Sequence, residues 1–228
     1  MLRRSLVALC SALVLAIVVL TVPVGARTAS ADPARGVVRP NRVTITDVID
    51  DVWLWVPGDR TWTEAGPWPA SDNVQAEATH WGSRVGDRVV VTMDFTDLQK
   101  FRSGRQEFAV KIATPRLTRV AWVIVKPGKW KGYHLLELSN GKAVSARGLT
   151  HQVGYTTETL TLTVPRSRLG YPPWVRVAFV NLMYTTEGGL FQDNPHDASY
   201  LLAKTWKKHP PLSARLFPVV PSRSPATS

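Results

Sequence analysis

Between Arg42 and Thr185 apolar and polar residues alternate with a period of two, broken by short turns, which is the pattern of antiparallel strands with one face turned inward. Thr159 to Val164 runs Thr, Leu, Thr, Leu, Thr, Val and sets Leu160, Leu162 and Val164 on one side. Arg88 to Phe95 does the same with Val89, Val91, Met93 and Phe95, and the following run places Phe108, Val110 and Ile112 together. Such faces need a second sheet to close against. Val120 to Val125 and Val175 to Leu182 are apolar on both sides of the alternation, as strands in the middle of a covered sheet should be. Tyr133 to Leu138 is a further run.

Turn chemistry fits the same picture. Asn140 and Gly141 tolerate the positive φ of a two-residue hairpin turn, and Pro127 with Gly128 marks another turn. Helical signals are confined to single turns at Thr96 to Phe101 and at Pro165 to Leu169, the latter with proline first and Gly170 just after. Neither is long enough to cross between parallel strands. Roughly eight to eleven strands at this spacing predict an all-β fold, an antiparallel β-sandwich of jelly-roll-like form. Trp55 to Asn73 and Glu187 to Ser199 read as two long loops, rich in Trp, Pro and Gly and in polar residues respectively.

The two ends of the chain depart from this pattern. Met1 to Ser5 carries Arg3 and Arg4, Leu6 to Val24 is almost unbroken apolar sequence, and Ala29, Ser30 and Ala31 supply the small residues that a signal peptidase reads. Residues 1–31 are therefore expected to be a signal peptide cleaved after Ala31, with an N-terminal membrane anchor as the alternative. The long apolar core suits the general secretory route better than the twin-arginine route, and Leu9 before Cys10 argues against lipidation. No later segment is long and apolar enough to span a membrane. The division that follows is a lead-in at 32–41, a β-sandwich domain at 42–206 and a Pro/Ser-rich tail at 207–228, expected to be disordered.

Composition sharpens the picture in three ways. Cys10 is the only cysteine and would leave with the signal, so an exported domain must stand on its core without disulfides. Removing Arg3, Arg4 and Arg27 lowers the +11 of the whole chain by three, to +8, a balance that favours anionic surfaces such as acidic cell-wall polymers, lipid headgroups or nucleic acid. The cations are nonetheless spread out, in groups such as Lys126, Lys129, Lys131 and Arg166, Arg168, Arg176, which read as solvated faces and point to no specific nucleic acid.

Familiar catalytic signatures are missing. The five histidines, His80, His134, His151, His196 and His209, show no zinc-protease spacing. Gly82 to Gly86 has its serine one place too early for a nucleophile elbow, and Ser139 and Lys142 flank a hairpin tip where a penicillin-recognising enzyme needs a helix. Two groups carry more chemistry. Asp47, Asp51, Asp193 and Asp197 offer oxygen ligands for calcium, or merely cap turns. Among the 9 tryptophans, Trp53, Trp55, Trp62 and Trp68 cluster at one loop. Of these Trp55, Trp62 and Trp68 are the candidate ligand-binding platforms, because flat indole rings stack on sugars.

Ile45, Thr46 and Asp47 with Asp51, Val52 and Trp53, and then Val89 to Phe95 with Asp97 and Leu98, resemble two early strands of DOMON domains and family-nine carbohydrate-binding modules. Trp174 to Val177, following the Pro165 turn, is similar to a stretch of small secreted proteins of actinobacteria. The resemblance implies an extracellular β-sandwich whose members bind sugar, haem or calcium. No haem-ligating partner is evident for Met93 or Met183, and no tryptophan pair matches a sugar site, so no family site is carried over. The expectation is a secreted, non-catalytic binding module for carbohydrate or a cell-envelope polymer. A secreted carboxylate-dependent hydrolase, or a structural envelope protein without a small ligand, is the alternative.

Overall fold

The computed structural model describes residues 39–46, 52–56, 58, 61–64, 73–82, 86–186, 188–193 and 212–219, all within the compact unit Val38–Ser228. The signal-peptide expectation lies outside the described residues. Thirteen strands are present among those described: β1 (Arg42–Thr46), β2 (Trp53–Val56), β3 (Thr61–Glu64), β4 (Asn73–Trp81), β5 (Arg88–Phe95), β6 (Gly104–Ala113), β7 (Thr118–Lys126), β8 (Lys129–Leu138), β9 (Ala143–Val144), β10 (Thr150–Gly154), β11 (Thr159–Pro165), β12 (Arg176–Thr185) and β13 (Leu190–Asp193). They form a five-stranded sheet in the order β1-β4-β5-β11-β10 and an eight-stranded sheet in the order β3-β2-β13-β12-β6-β7-β8-β9. Neighbouring strands pair antiparallel throughout, and the chain is an all-β sandwich.

The alternating faces named above meet where the sequence pattern puts them. Val89, Val91, Met93 and Phe95 of β5 and Leu160, Leu162 and Val164 of β11 face Phe108, Val110 and Ile112 of β6 and Val177 and Phe179 of β12 in one buried cluster. The Phe95 and Phe108 rings join the two sheets edge to face, 5.5 Å apart. β12 lies between β13 and β6, and β7 between β6 and β8, which explains their double-sided apolar character. Their second face forms another buried cluster around Ala109, Val120, Val180, Leu182 and Leu190, with Trp55, Trp122 and Tyr184 against it.

Turns follow their residues closely, with one correction. Pro127 and Gly128 close the tight β7–β8 turn, Gly128 at φ 77. At the β8–β9 turn only Gly141 takes positive φ, at 84, while its N–H and that of Leu138 bond to Leu138 O and Lys142 O, each at 2.9 Å. The loop therefore holds three residues rather than two, and Asn140 instead accepts the Lys142 N–H on its side chain at 3.1 Å. Arg166–Leu169 is a single 3-10 turn opened by Pro165 and closed by Gly170 at φ 72. Thr96 to Phe101 is not helical.

Three further expectations are corrected. The stretch Trp55 to Asn73, read as a loop, contains the β2–β3 hairpin, and Glu187 to Ser199 contains β13, because both pair with the edge of an existing sheet. The domain also continues past residue 206. Leu212–Val219, inside the expected disordered tail, packs onto the sandwich: Leu216 is fully buried and exchanges N–H···O bonds of 2.8 and 2.9 Å with Val175. At the other end the lead-in is tied down where it meets β1, since Asn41 O accepts the His80 N–H at 2.7 Å and Pro40 O the Phe217 N–H at 2.7 Å. The apolar leucine supplies the burial that the surrounding prolines obscure in the composition.

Candidate functional site

The 3-10 turn after β11 builds the most exposed aromatic surface among the described residues. Pro165 sets the entry, Gly170 leaves the helical region at φ 72, and Tyr171 follows at φ 50, so two successive residues have left-handed backbone. Glycine adopts that region freely, whereas a tyrosine there is strained. The Tyr171 N–H donates to Arg166 O at 3.0 Å, and Pro172 and Pro173 stiffen the exit. Held in this way, the Tyr171 side chain is 60% exposed.

Arg166 clamps the turn from beneath. One guanidinium nitrogen donates to Asp87 Oδ1 at 3.2 Å, another to Pro172 O at 2.9 Å, and the group lies 5.9 Å from the Tyr171 ring centroid. Across from it the β6–β7 loop is fixed by Thr114, whose Oγ1 donates to Leu117 O at 2.9 Å and accepts N–H groups from Arg116 and Leu117 at 3.2 and 3.0 Å. Between these two rigid walls lies a cavity of about 530 Å³ bordered by Pro115, Arg116, Leu117, Tyr171, Pro172 and Pro173. Its lining combines an aromatic face, rigid apolar edges and one exposed guanidinium. Among the described residues its lining holds no carboxylate.

A second cavity of about 450 Å³ opens at the opposite end of β6 and β7, beside Arg105, Lys126, Tyr184 and Thr185. Its charge is largely spent within the protein. Arg105 Nε donates to Glu107 Oε1 at 2.8 Å, and its guanidinium stacks 4.3 Å from the Tyr184 ring centroid. Burial is the main cause that raises the Glu107 carboxyl above its usual range, and burial likewise raises the Tyr184 hydroxyl.

The residues singled out from sequence fall elsewhere. Trp55, on β2, is half-buried and packs in the second apolar cluster, opposite Leu190 and Trp62 in register. Trp62 lies on β3 with its side chain outside the described residues, and Trp68 is outside them altogether. Asp193 ends β13 and is 1% exposed, and its Oδ2 accepts the Asn73 N–H at 2.6 Å, tying the eight-stranded sheet to β4 of the other. Asp47, Asp51 and Asp197 lie outside the described residues. Among the described residues no three His, Cys, Asp or Glu side chains gather to hold an ion, so the calcium reading keeps only Asp193 in view. Met93 and Met183 are both packed in buried clusters and line neither cavity, which does not fit haem ligation.

Sequence reasoning also missed a pair. His134 on β8 and His151 on β10 belong to different sheets, yet their Nδ1 atoms lie 2.8 Å apart, with the rings edge to face. His151 Nε2 donates to Lys131 O at 2.8 Å. Tyr171 and Arg116 were likewise not singled out, although Gly170-Tyr171-Pro172-Pro173 directly after a capped turn places a tyrosine where the chain must run along the surface.

No protein-family model matches the chain, and no curated protein matches it. No helix among the described residues is long and apolar enough to cross a membrane.

Proposed function

We propose that this chain is an exported, non-catalytic binding module that takes an anionic cell-envelope carbohydrate against the Tyr171 ring. The observation that carries this reading is a tyrosine 60% exposed at φ 50 on the wall of a cavity. Left-handed backbone at a residue other than glycine costs on the order of 1 kcal/mol or more, and such strain concentrates where a side chain must be presented. A flat ring of this kind offers its face to the C–H face of a pyranose, while the phenol reaches the ring hydroxyls. Arg116 on the opposite wall supports an acidic substituent, and the proline rim loses little entropy on binding. A volume of about 530 Å³ falls within the range of small-ligand sites. Paired-carboxylate hydrolysis needs two acids astride the bond, and among the described residues this lining provides none.

The test is retention on insoluble cell-wall polysaccharide and on a glycan array, with the processed chain and its Tyr171→Ala and Arg116→Ala variants. Binding weakened about tenfold or more by Tyr171→Ala, with loss of preference for acidic glycans in Arg116→Ala, is the expected result. Failure to bind any envelope polysaccharide, or binding indifferent to Tyr171, overturns the reading.

A further inference from the structure

His134 and His151 are half-buried, come from different sheets and line neither of the two cavities.

The protons of the pair are fixed by its hydrogen bonds. Lys131 O only accepts, so His151 Nε2 carries a hydrogen, and the neutral ring then has its lone pair on Nδ1. That lone pair faces His134 Nδ1, 2.8 Å away, which supplies the one shared proton. A ring N–H held by a backbone carbonyl, with the other nitrogen left as a donor of electrons, is the usual support of a metal-binding histidine. Moving the His134 hydrogen to its Nε2 exposes a second lone pair beside the first, with no net proton released.

We infer that His134 and His151 form a site for a divalent transition metal, copper(II) above all, that bridges the two sheets. Metal–nitrogen bonds of about 2.0 Å put two adjacent ligands about 2.8 Å apart at a right angle and about 3.3 Å apart at a tetrahedral angle. The observed 2.8 Å matches the right angle of tetragonal copper(II) or nickel(II) and is short for zinc. Water fills the remaining positions, because no third His, Cys, Asp or Glu joins the pair among the described residues. Two protein ligands, one of them held by the Lys131 carbonyl, give moderate affinity.

The experiment titrates the processed chain with copper(II), nickel(II) and zinc(II) salts, reading heat of binding and, for copper, the electron paramagnetic resonance spectrum. Expected are one copper per chain at micromolar affinity, hyperfine structure from two nitrogens, and affinity in the order copper, nickel, zinc. His134→Gln and His151→Gln should each weaken copper at least tenfold while keeping the wild-type circular dichroism. The spectrum of the unmodified chain serves if a variant does not fold. No copper binding below about 100 μM, a spectrum without two nitrogen ligands, or affinity unchanged in either variant overturns the inference.

Discussion

The Nδ1 of His80, on β4, lies 3.0 Å from the carbonyl oxygen of Leu216, near the C-terminal end, and both residues are fully buried. The ring is thereby fixed as the neutral tautomer with its hydrogen on Nδ1. Its Nε2 is buried without a hydrogen-bond partner among the described residues, so a second proton there would be a buried charge. Burial lowers the His80 pKa from 6.5 and outweighs the Leu216 hydrogen bond, which raises it, while the Arg166 charge adds to the lowering.

A pH dependence follows. Because the folded pKa is depressed, the unfolded chain takes up a proton first as pH falls through 6.5, and stability decreases with acidity from there to the folded pKa. The slope is at most about 1.4 kcal/mol per pH unit for this ring. Glu107, raised by burial, works in the opposite sense, so the His80 ring resonance should be followed by NMR beside the melting temperature. A His80 ring that titrates at an ordinary value would refute the assignment.

Leu216 should behave as a core residue despite its proline-rich surroundings. Leu216→Ala is expected to cost about 2–5 kcal/mol in urea unfolding. Truncation after residue 211 should cost more, because it also removes the Leu212 and Ser213 carbonyls that accept from Arg176 at 2.8 and 2.6 Å. Wild-type stability in the truncated chain would contradict the docking of this segment.

Two glycines separate collision from backbone strain. A Cβ at Gly104 would collide with the Tyr184 carbonyl oxygen across the β6–β12 ladder, so Gly104→Ala should cost several kcal/mol, on the order of a severe core overpacking. Gly128 faces open space at φ 77, and Gly128→Ala should cost only about 1 kcal/mol. Denaturant midpoints of the two variants decide the ranking.

Tyr171→Gly tests strain against function in one variant. Removing the side chain relaxes a left-handed residue at φ 50, so the melting temperature should hold or rise, while glycan retention is lost. A tyrosine that served only packing would instead lower the melting temperature when removed.

The sandwich was legible wherever a strand kept one face dry, as in Leu160, Leu162 and Val164, since period-two alternation is a direct trace of burial. It was illegible where short strands join an edge: Trp53–Val56 and Leu190–Asp193 are each four residues long, too few for a period to emerge beside Pro, Gly and Asp. The His134 and His151 contact was hidden for another reason. It depends on how two sheets stack, and strand alternation carries no information about which residues meet across that gap. Tyr171 left a clearer trace in its Gly-Tyr-Pro-Pro setting, but an exposed ring in a turn reads as a loop residue until its φ is known.

The bond from Phe217 N–H to Pro40 O brings the beginning and end of the domain side by side. A short linker between them, with a new opening cut at the Pro127–Gly128 turn, would give a circular permutant in which every strand keeps its neighbours. Strand arrangement in this domain is therefore separable from the order of synthesis.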